Sequence, residues 1–133
     1  MPQFANPDGL GAPVGLYSHL ATDERTGLAF VAGQLAVRTS LGEQPPQNFG
    51  DQLEMVLENL RAAVAPIGGL STICQMTTYL VSPEDITEFY EHRARLFPTF
   101  FGPGPYPPNT LLVVSRLVGP HHLVEIQAIA SSQ

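Results

Sequence analysis

Glu125 is the residue of this chain best placed to do chemistry. It stands between Val124 and Ile126 in the closing run His122-Leu123-Val124-Glu125-Ile126-Gln127-Ala128-Ile129-Ala130. A carboxyl among apolar neighbours has its charged form disfavoured, which prepares it to give or take a proton near neutral pH. Spacing alone favours a plainer reading, a solvent-facing glutamate on a half-buried strand. His19 follows Gly15-Leu16-Tyr17-Ser18 and could serve as an acid or base, but no partner is identifiable. A structural hydrogen bond is the stronger reading there. His121-His122 falls in a turn, and neighbouring side chains on extended backbone point apart, so no metal pair is expected. Cys74 lies in an apolar stretch and reads as an inert core thiol. Arg116 interrupts an apolar run and could hold an anion or form a structural salt bridge, with nothing in the spacing to decide. There is no phosphate loop, paired-cysteine zinc motif or nucleophile elbow.

These residues must be carried by regular elements. Residues 1–13, with Pro2, Pro7, Gly9, Gly11 and Pro13, read as an extended arm, with room for a strand. Leu28 to Val37 has strand character, and Gly33 within it marks a bulge or a close approach. Thr39 to Asn48 is turn-rich. From about Gly50 to Ala65, Leu53, Val56, Leu57, Leu60 and Val64 recur at helical steps, and Pro66 with Gly68-Gly69 stops the helix. Thr72 to Val81 is a second strand. Ser82-Pro83-Glu84-Asp85 opens a second helix, which Pro98 should end near Phe97. Gly102 to Pro108 is a loop, and Thr110–Val118 and Leu123–Ala130 are strands joined by a short turn. Along the last strand, Val124, Ile126, Ala128 and Ala130 share one face, while Leu123, Glu125, Gln127 and Ile129 share the other. The order predicts one α+β domain over 1–133, a two-layer arrangement of one sheet covered by two helices. Leu111-Leu112-Val113-Val114 does not alternate, so both its faces need cover, and a second subunit of a closed homo-oligomer would supply it.

Composition narrows the function. The 133 residues are 44% hydrophobic and 14% charged, which suits a packed globular domain. A net charge of −6 with only six Lys and Arg argues against nucleic acid as the main partner. The lone cysteine cannot form an intrachain disulfide, and no signal peptide or membrane-length apolar run is evident. A cytoplasmic protein without a membrane role is therefore expected.

Several segments together resemble one family. Gly15-Leu16-Tyr17-Ser18-His19, Phe30-Val31-Ala32-Gly33-Gln34, Thr77-Thr78-Tyr79-Leu80-Val81, Ser115-Arg116-Leu117 and Val124-Glu125-Ile126-Gln127-Ala128-Ile129-Ala130 are similar, in order and spacing, to the RidA/YjgF family. The resemblance runs from about Val14 to Ala130. It implies a chorismate-mutase-like α+β subunit, with a mostly antiparallel sheet, in a homotrimer with clefts between subunits. It also implies a hydrolase or deaminase that converts reactive imines or enamines to 2-keto acids and ammonia without a cofactor. A non-catalytic trimer that binds or responds to a small metabolite is the alternative. The family also carries endoribonuclease L-PSP and translation-inhibitor labels, of which RNA cleavage suits this acidic chain least.

By the same resemblance, Glu125 matches the carboxylate that positions or activates water, Tyr17 the tyrosine lining the cleft, and Gly33 the glycine whose backbone meets the ligand. In Tyr106-Pro107-Pro108-Asn109-Thr110 the family's carboxylate-binding arginine is Asn109, and its frequent cysteine is Leu111, which can contribute only backbone groups. Arginine offers a permanently charged planar fork, whereas asparagine donates only through its amide. Losing a charged partner in a buried site costs on the order of 2–5 kcal/mol. The substitution therefore points away from a plain amino-acid-derived imine, and it leaves Glu125 without the cation that would favour its ionised form.

Overall fold

A computed structural model describes residues 1–39 and 42–132. The elements are β1 (Gln3–Ala5), β2 (Leu20–Asp23), β3 (Leu28–Gln34), α1 (Phe49–Val64), β4 (Ile73–Leu80), α2 (Asp85–Phe101), β5 (Asn109–Val113) and β6 (Val124–Ser131). They form one six-stranded sheet in the order β1-β2-β3-β6-β4-β5, with β4 and β5 parallel and the other pairs antiparallel. The expected turn-rich stretch 39–48 includes Ser40 and Leu41, which lie outside the described residues.

The apolar stripe of α1 does what its period promises. Leu53, Val56, Leu57, Leu60 and Val64 are fully buried against Val31, Met76, Leu80, Val124, Ile126 and Ala130 of the sheet. Burying one such side chain contributes roughly 1.5–3 kcal/mol, so this stripe is the main attachment of helix to sheet. Asn48 caps the helix by accepting a hydrogen bond from the Asp51 amide at 2.8 Å. Two polar residues sit inside the same stripe, Gln52 and Asn59, at 0% and 7% exposure. Burial of an amide without partners would be costly, and both side chains are engaged with loop backbone, as described below.

Along β6, Val124, Ile126, Ala128 and Ala130 are buried beneath the helices. Glu125, Gln127 and Ile129 look out from the opposite face, as the alternation requires. Neither helix covers that second face among the described residues, and it carries exposed Phe30 and Leu112.

Four expectations from the sequence are corrected. First, the two closing strands are not a hairpin. The first of them is shorter than Thr110–Val118, and as β5 it pairs with β4, with α2 as the crossover that a parallel pair needs. β6 lies between β3 and β4, and the stretch after Val113 is irregular. Second, β5 is an edge strand with Leu112 and Val113 exposed in the single chain.

Third, Pro98 does not end α2. The Ser82-Pro83 stretch forms a turn ahead of the helix, and the helix runs on to Phe101. Proline removes one helical hydrogen bond. That loss is offset by the aromatic packing of Phe97 on Phe101 and of both on Tyr106, with ring centroids 5.1, 5.8 and 6.4 Å apart. Fourth, Cys74 is exposed and not a core residue, because its strand turns that side chain to the uncovered face. β2 had no counterpart among the expected elements. It forms an antiparallel pair with β3 around the turn at Asp23–Gly27, and β1 of the arm pairs with it.

Candidate functional site

Glu125 enters the site from a tightly held strand end. Gln52 on α1 donates to the Pro46 and His121 carbonyls at 2.7 and 3.0 Å and accepts from the Leu123 amide at 2.8 Å. One buried amide thus fixes the loop before β6 and sets the start of the strand. Across the sheet, β3 and β6 pair regularly to Val31↔Ala128, then shift register before Gln34↔Ile126. The slip is the bulge that Gly33 suggested.

At that bulge the carboxyl of Glu125 lies against the Gly33 backbone. A Cβ built on Gly33 would overlap Oε2 and stand 2.7 Å from Cδ. A side chain at position 33 would have to push the Glu125 carboxyl out of the place it occupies, so the two residues share one space. Glu125 has no hydrogen-bond or ion-pair partner among the described residues. Burial raises its pKa above the ordinary carboxyl value, with no cation to oppose the shift.

A second group of residues holds the backbone around Gly33 and presents Tyr17. Gln34 is buried and donates to the Ala32 carbonyl at 3.0 Å and to Nδ1 of His19 at 3.2 Å. Nε2 of His19 then faces the Gly11 carbonyl at 2.8 Å, which makes that nitrogen the donor. His19 therefore has a full structural role, tying the arm to β3. The Tyr17 ring meets the His19 ring edge-on at 6.1 Å, and its hydroxyl accepts from the Val14 amide at 3.2 Å. Tyr17, His19, Gly33 and Gln34 share a narrow crevice of about 30 Å³. Tyr17 also lines a broad open depression of about 780 Å³ with Phe4, Leu16 and Phe30. Asn59 pins the exit from β3 by donating to the Leu35 and Val37 carbonyls at 2.9 and 2.8 Å.

Asn109 and Leu111 are elsewhere. Their partners across β4 are Met76 and Thr78, both fully buried beneath the helices, so Asn109 and Leu111 belong to the helix-side face. Glu125 pairs with Tyr79 and belongs to the other face. The Thr78 hydroxyl donates to Asn109 Oδ1 at 2.7 Å, which leaves the Asn109 Nδ2 hydrogens free to donate. Leu111 packs against the core with its side chain and pairs by backbone with Thr78. Asn109 lines a groove of about 250 Å³ with Arg93, Ala94, Phe97, Pro98, Tyr106 and Pro107. One chain therefore sets the Glu125 carboxyl against Gly33, places Tyr17 on a crevice that Gly33 also lines, and keeps Asn109 and Leu111 on the opposite face of the sheet from Glu125.

The remaining candidates take structural places. Arg116 lies outside any strand, and its guanidinium donates to the Leu117 and Val118 carbonyls at 2.9 Å each, so it clamps a loop and makes no salt bridge among the described residues. His121 is exposed in the turn, whereas His122 is buried with neither ring nitrogen hydrogen-bonded among the described residues. Burial lowers the pKa of His122 and keeps it neutral. Among the described residues no three His, Cys, Asp or Glu side chains are grouped to hold a metal ion. Gln52, Asn59 and Gln34 are the site residues that sequence reasoning missed. The available signal was a glutamine and an asparagine inside the apolar stripe of α1, where a buried amide must have partners.

Comparisons with known proteins agree with the fold. The profile described as endoribonuclease L-PSP matches residues 10–132. A RutC family protein of Pyrococcus horikoshii is 31% identical over 119 residues, spanning 89% of this chain and 88% of that protein. Among solved structures, the crystal structure of E. coli TdcF with bound serine superposes with a TM-score of 0.83 at 25% identity, covering 97% of this chain and 98% of that one. A protein described as a putative endoribonuclease from Thermotoga maritima gives 0.83 at 25% identity, covering 100% and 99%. The E. coli YjgF gene product shares the fold, with a TM-score of 0.83 at 20% identity over 98% and 99% of the two chains.

Proposed function

The chain belongs to the endoribonuclease L-PSP family, the RidA/YjgF proteins, and on that premise we propose that it is a hydrolase of imines, enamines or related small metabolites, working between subunits of a homotrimer. The single observation that carries this reading is the Glu125 carboxyl, half-buried against Gly33, without a cation and with its pKa raised by burial. A carboxyl whose protonated form is favoured by burial can hand its proton to an imine nitrogen, directly or through water. Water then adds to the carbon of the resulting iminium and gives one proton to the carboxylate, a second transfer through the same carboxyl moves the hydroxyl proton to nitrogen, and the C–N bond breaks as ammonia leaves and the carbonyl forms. The products are a carbonyl compound and ammonia, and the carboxyl recovers its proton from the added water. Gly33 supplies backbone at the reacting group, and Tyr17 supplies an aromatic wall.

Assembly between copies would reconcile the separation of Glu125 and Asn109 with a single cleft. The uncovered sheet face bears Phe30 and Leu112, and the edge strand β5 exposes Val113 and half of its backbone groups. Covering these with two further copies would bring the Asn109–Leu111 edge of one subunit toward the Glu125 half of another. Leu111 would then contribute backbone groups only. No described helix is long and apolar enough to cross a membrane, and we place the protein in the cytoplasm. Incubation with freshly generated 2-imino acids, read by 2-keto acid and ammonia release, tests the reading. Glu125→Gln should abolish turnover, and turnover unchanged by it would remove Glu125 from the mechanism. Sedimentation should give a trimer, and a monomer would remove the inter-subunit cleft.

One observation favours a second reading. The position expected to hold a carboxylate by charge is the neutral Asn109, and TdcF is described with serine bound. A trimer that binds a small amino acid or keto acid without turnover would show saturable binding that survives Glu125→Gln.

A further inference from the structure

Just ahead of β6 lies a buried titratable group that the mechanism does not use. His122 is 2% exposed, and neither ring nitrogen has a hydrogen-bond partner among the described residues. Buried polar groups are nearly always paired, so an imidazole left in this state calls for a reason. It stands three residues before Glu125, in a turn that its own amide closes by donating to the Gly119 carbonyl at 3.2 Å. The turn is gripped from outside at both ends. Arg116 holds the Val118 carbonyl ahead of it, and Gln52 holds the His121 carbonyl and the Leu123 amide. His122 therefore sits between the two hydrogen bonds that fix the start of β6.

The residue lines a cavity of about 210 Å³ between residues 42–45 and residues 119–122. Water occupies roughly 30 Å³ per molecule in the liquid, so a proton has a path to the ring and the ring has room to turn. Burial opposes a charge on the imidazole most strongly, the Glu43 carboxylate favours one, and His121 opposes it. From α1 the loop meets the neutral amide of Gln52. Glu43 accepts from the Arg38 amide and, at 2.8 Å, from the Thr39 amide. Its carboxylate is thereby fixed on the far wall, and closing on a charged ring falls to the His122 side. A neutral imidazole carries one donor and one acceptor, whereas a protonated one carries two donors and a full charge. A closed, buried turn accommodates the first and not the second.

We propose that His122 is a positioning residue that makes the seat of Glu125 sensitive to pH: a proton on its ring draws the turn 119–122 away from Gln52 and releases the start of β6. The closed turn favours the neutral ring, so the pKa of His122 lies below the ordinary 6.5. Closure is then fully favoured above that ordinary value and is lost as pH falls from it through the lowered value of the closed form. Glu125 has the opposite dependence, since burial raises its pKa. Turnover therefore has two limbs, an alkaline one where Glu125 gives up its proton and an acid one where His122 gains one. The effect on turnover rests on the proposed function, whereas the opening of the turn rests on the loop geometry alone.

The first readout needs no substrate. On the full chain, the His122 ring resonance is followed by NMR from pH 8 to pH 5, together with the Gln52 side-chain amide and the Leu123 backbone amide. The ring should titrate below the ordinary histidine value, and the Gln52 and Leu123 resonances should move with it. Hydrogen exchange at the Leu123 amide, corrected for its intrinsic pH dependence, should speed up several-fold from pH 7.5 to pH 5.5. His122→Phe keeps a planar ring that takes no proton, and it should hold the resonances and the exchange constant. Glu43→Gln removes the charge that favours the imidazolium and should deepen the opening at acid pH. The same titration in Glu125→Gln excludes the carboxyl as the source of the shifts.

The second readout is turnover against pH. His122→Phe should keep the alkaline limb and lose the acid one, whereas a merely structural role would lower turnover alike at every pH. An acid limb that survives in His122→Phe would overturn the proposal, and so would Gln52 and Leu123 resonances indifferent to the charge on His122. If His122→Phe does not fold, His122→Gln and the titration of the parent decide the matter. A chain that hydrolyses no imine at any pH would sink the proposed function, while the titration would still settle the fate of the turn. Hydrolysis without coupling between His122 and Gln52 would leave the function standing and remove the switch.

Discussion

Around Glu125 the sheet is filled to contact, whereas around Asn109 it is open. The carboxyl is held in a slot that exists because residue 33 has no side chain, on a strand whose entry is tied by Gln52. It has an acid and no cation. The groove at the other side of the sheet has an amide donor but no acid, and its walls leave about 250 Å³. The difference teaches what each half can do alone. A tight slot fixes where a proton is given, and an open groove selects what is brought to it. Each half also hangs on one buried polar residue, Gln52 or Thr78, both with 0% exposure.

That last parallel is the first thing to break. Gln52→Leu strips hydrogen bonds from three loop backbone groups and should have the largest effect. Stability should fall by about 3 kcal/mol in urea unfolding, with turnover lost as β6 loses its fixed start. Thr78→Val removes one bond to a side chain that water can partly reach, and should cost about 1 kcal/mol. Equal costs at the two positions would show that the halves are anchored alike.

Gly33→Ala comes next, at roughly 1–3 kcal/mol for overpacking. The test is its coupling to Glu125. In a Glu125→Ala background the added methyl meets no carboxyl, so most of the cost should vanish in a double-mutant cycle. Additive effects would show that Gly33 serves backbone conformation and not the slot. Asn109→Ala is the matching change in the open half. It should move stability by less than about 1 kcal/mol while weakening carboxylate binding.

The tight half was far more legible in the sequence than the open half. Alternation along β6 alone separated Val124, Ile126, Ala128 and Ala130 from Glu125 and Gln127, because a strand with one buried face writes that face into its own residues. Gly33 announced a bulge for the same local reason. What approached it was not legible, since the contact with Glu125 depends on the register of two strands far apart in the chain.

On the open side, nothing local in Asn109–Val113 says that its partner is β4 and that the pair is parallel. An unalternating apolar run looks the same on a buried strand and on an edge awaiting cover. Pro98 misled for a different reason. The rule that proline ends helices holds until packing on the far side, here Phe97, Phe101 and Tyr106, outweighs one lost hydrogen bond.

The smallest expected effect bears most directly on what the tight half is for. The pKa of Glu125 is raised in the folded chain by burial. Folding therefore favours its protonated form, and the stability that this proton contributes is fully present below the unfolded value near 4.5. It is lost as pH rises through the folded value. Unfolding free energy measured from pH 4 to pH 8 should accordingly contain a decline that Glu125→Gln removes, so that the variant gains on the parent toward neutral pH. The gain should be small, because the side chain is partly exposed and water screens it. In the open half, the difference between Asn109→Ala and the parent should be flat over the same range, because neither side chain titrates. A Glu125→Gln difference that is flat as well would mean that the tight half holds its acid no more readily protonated than the unfolded chain does.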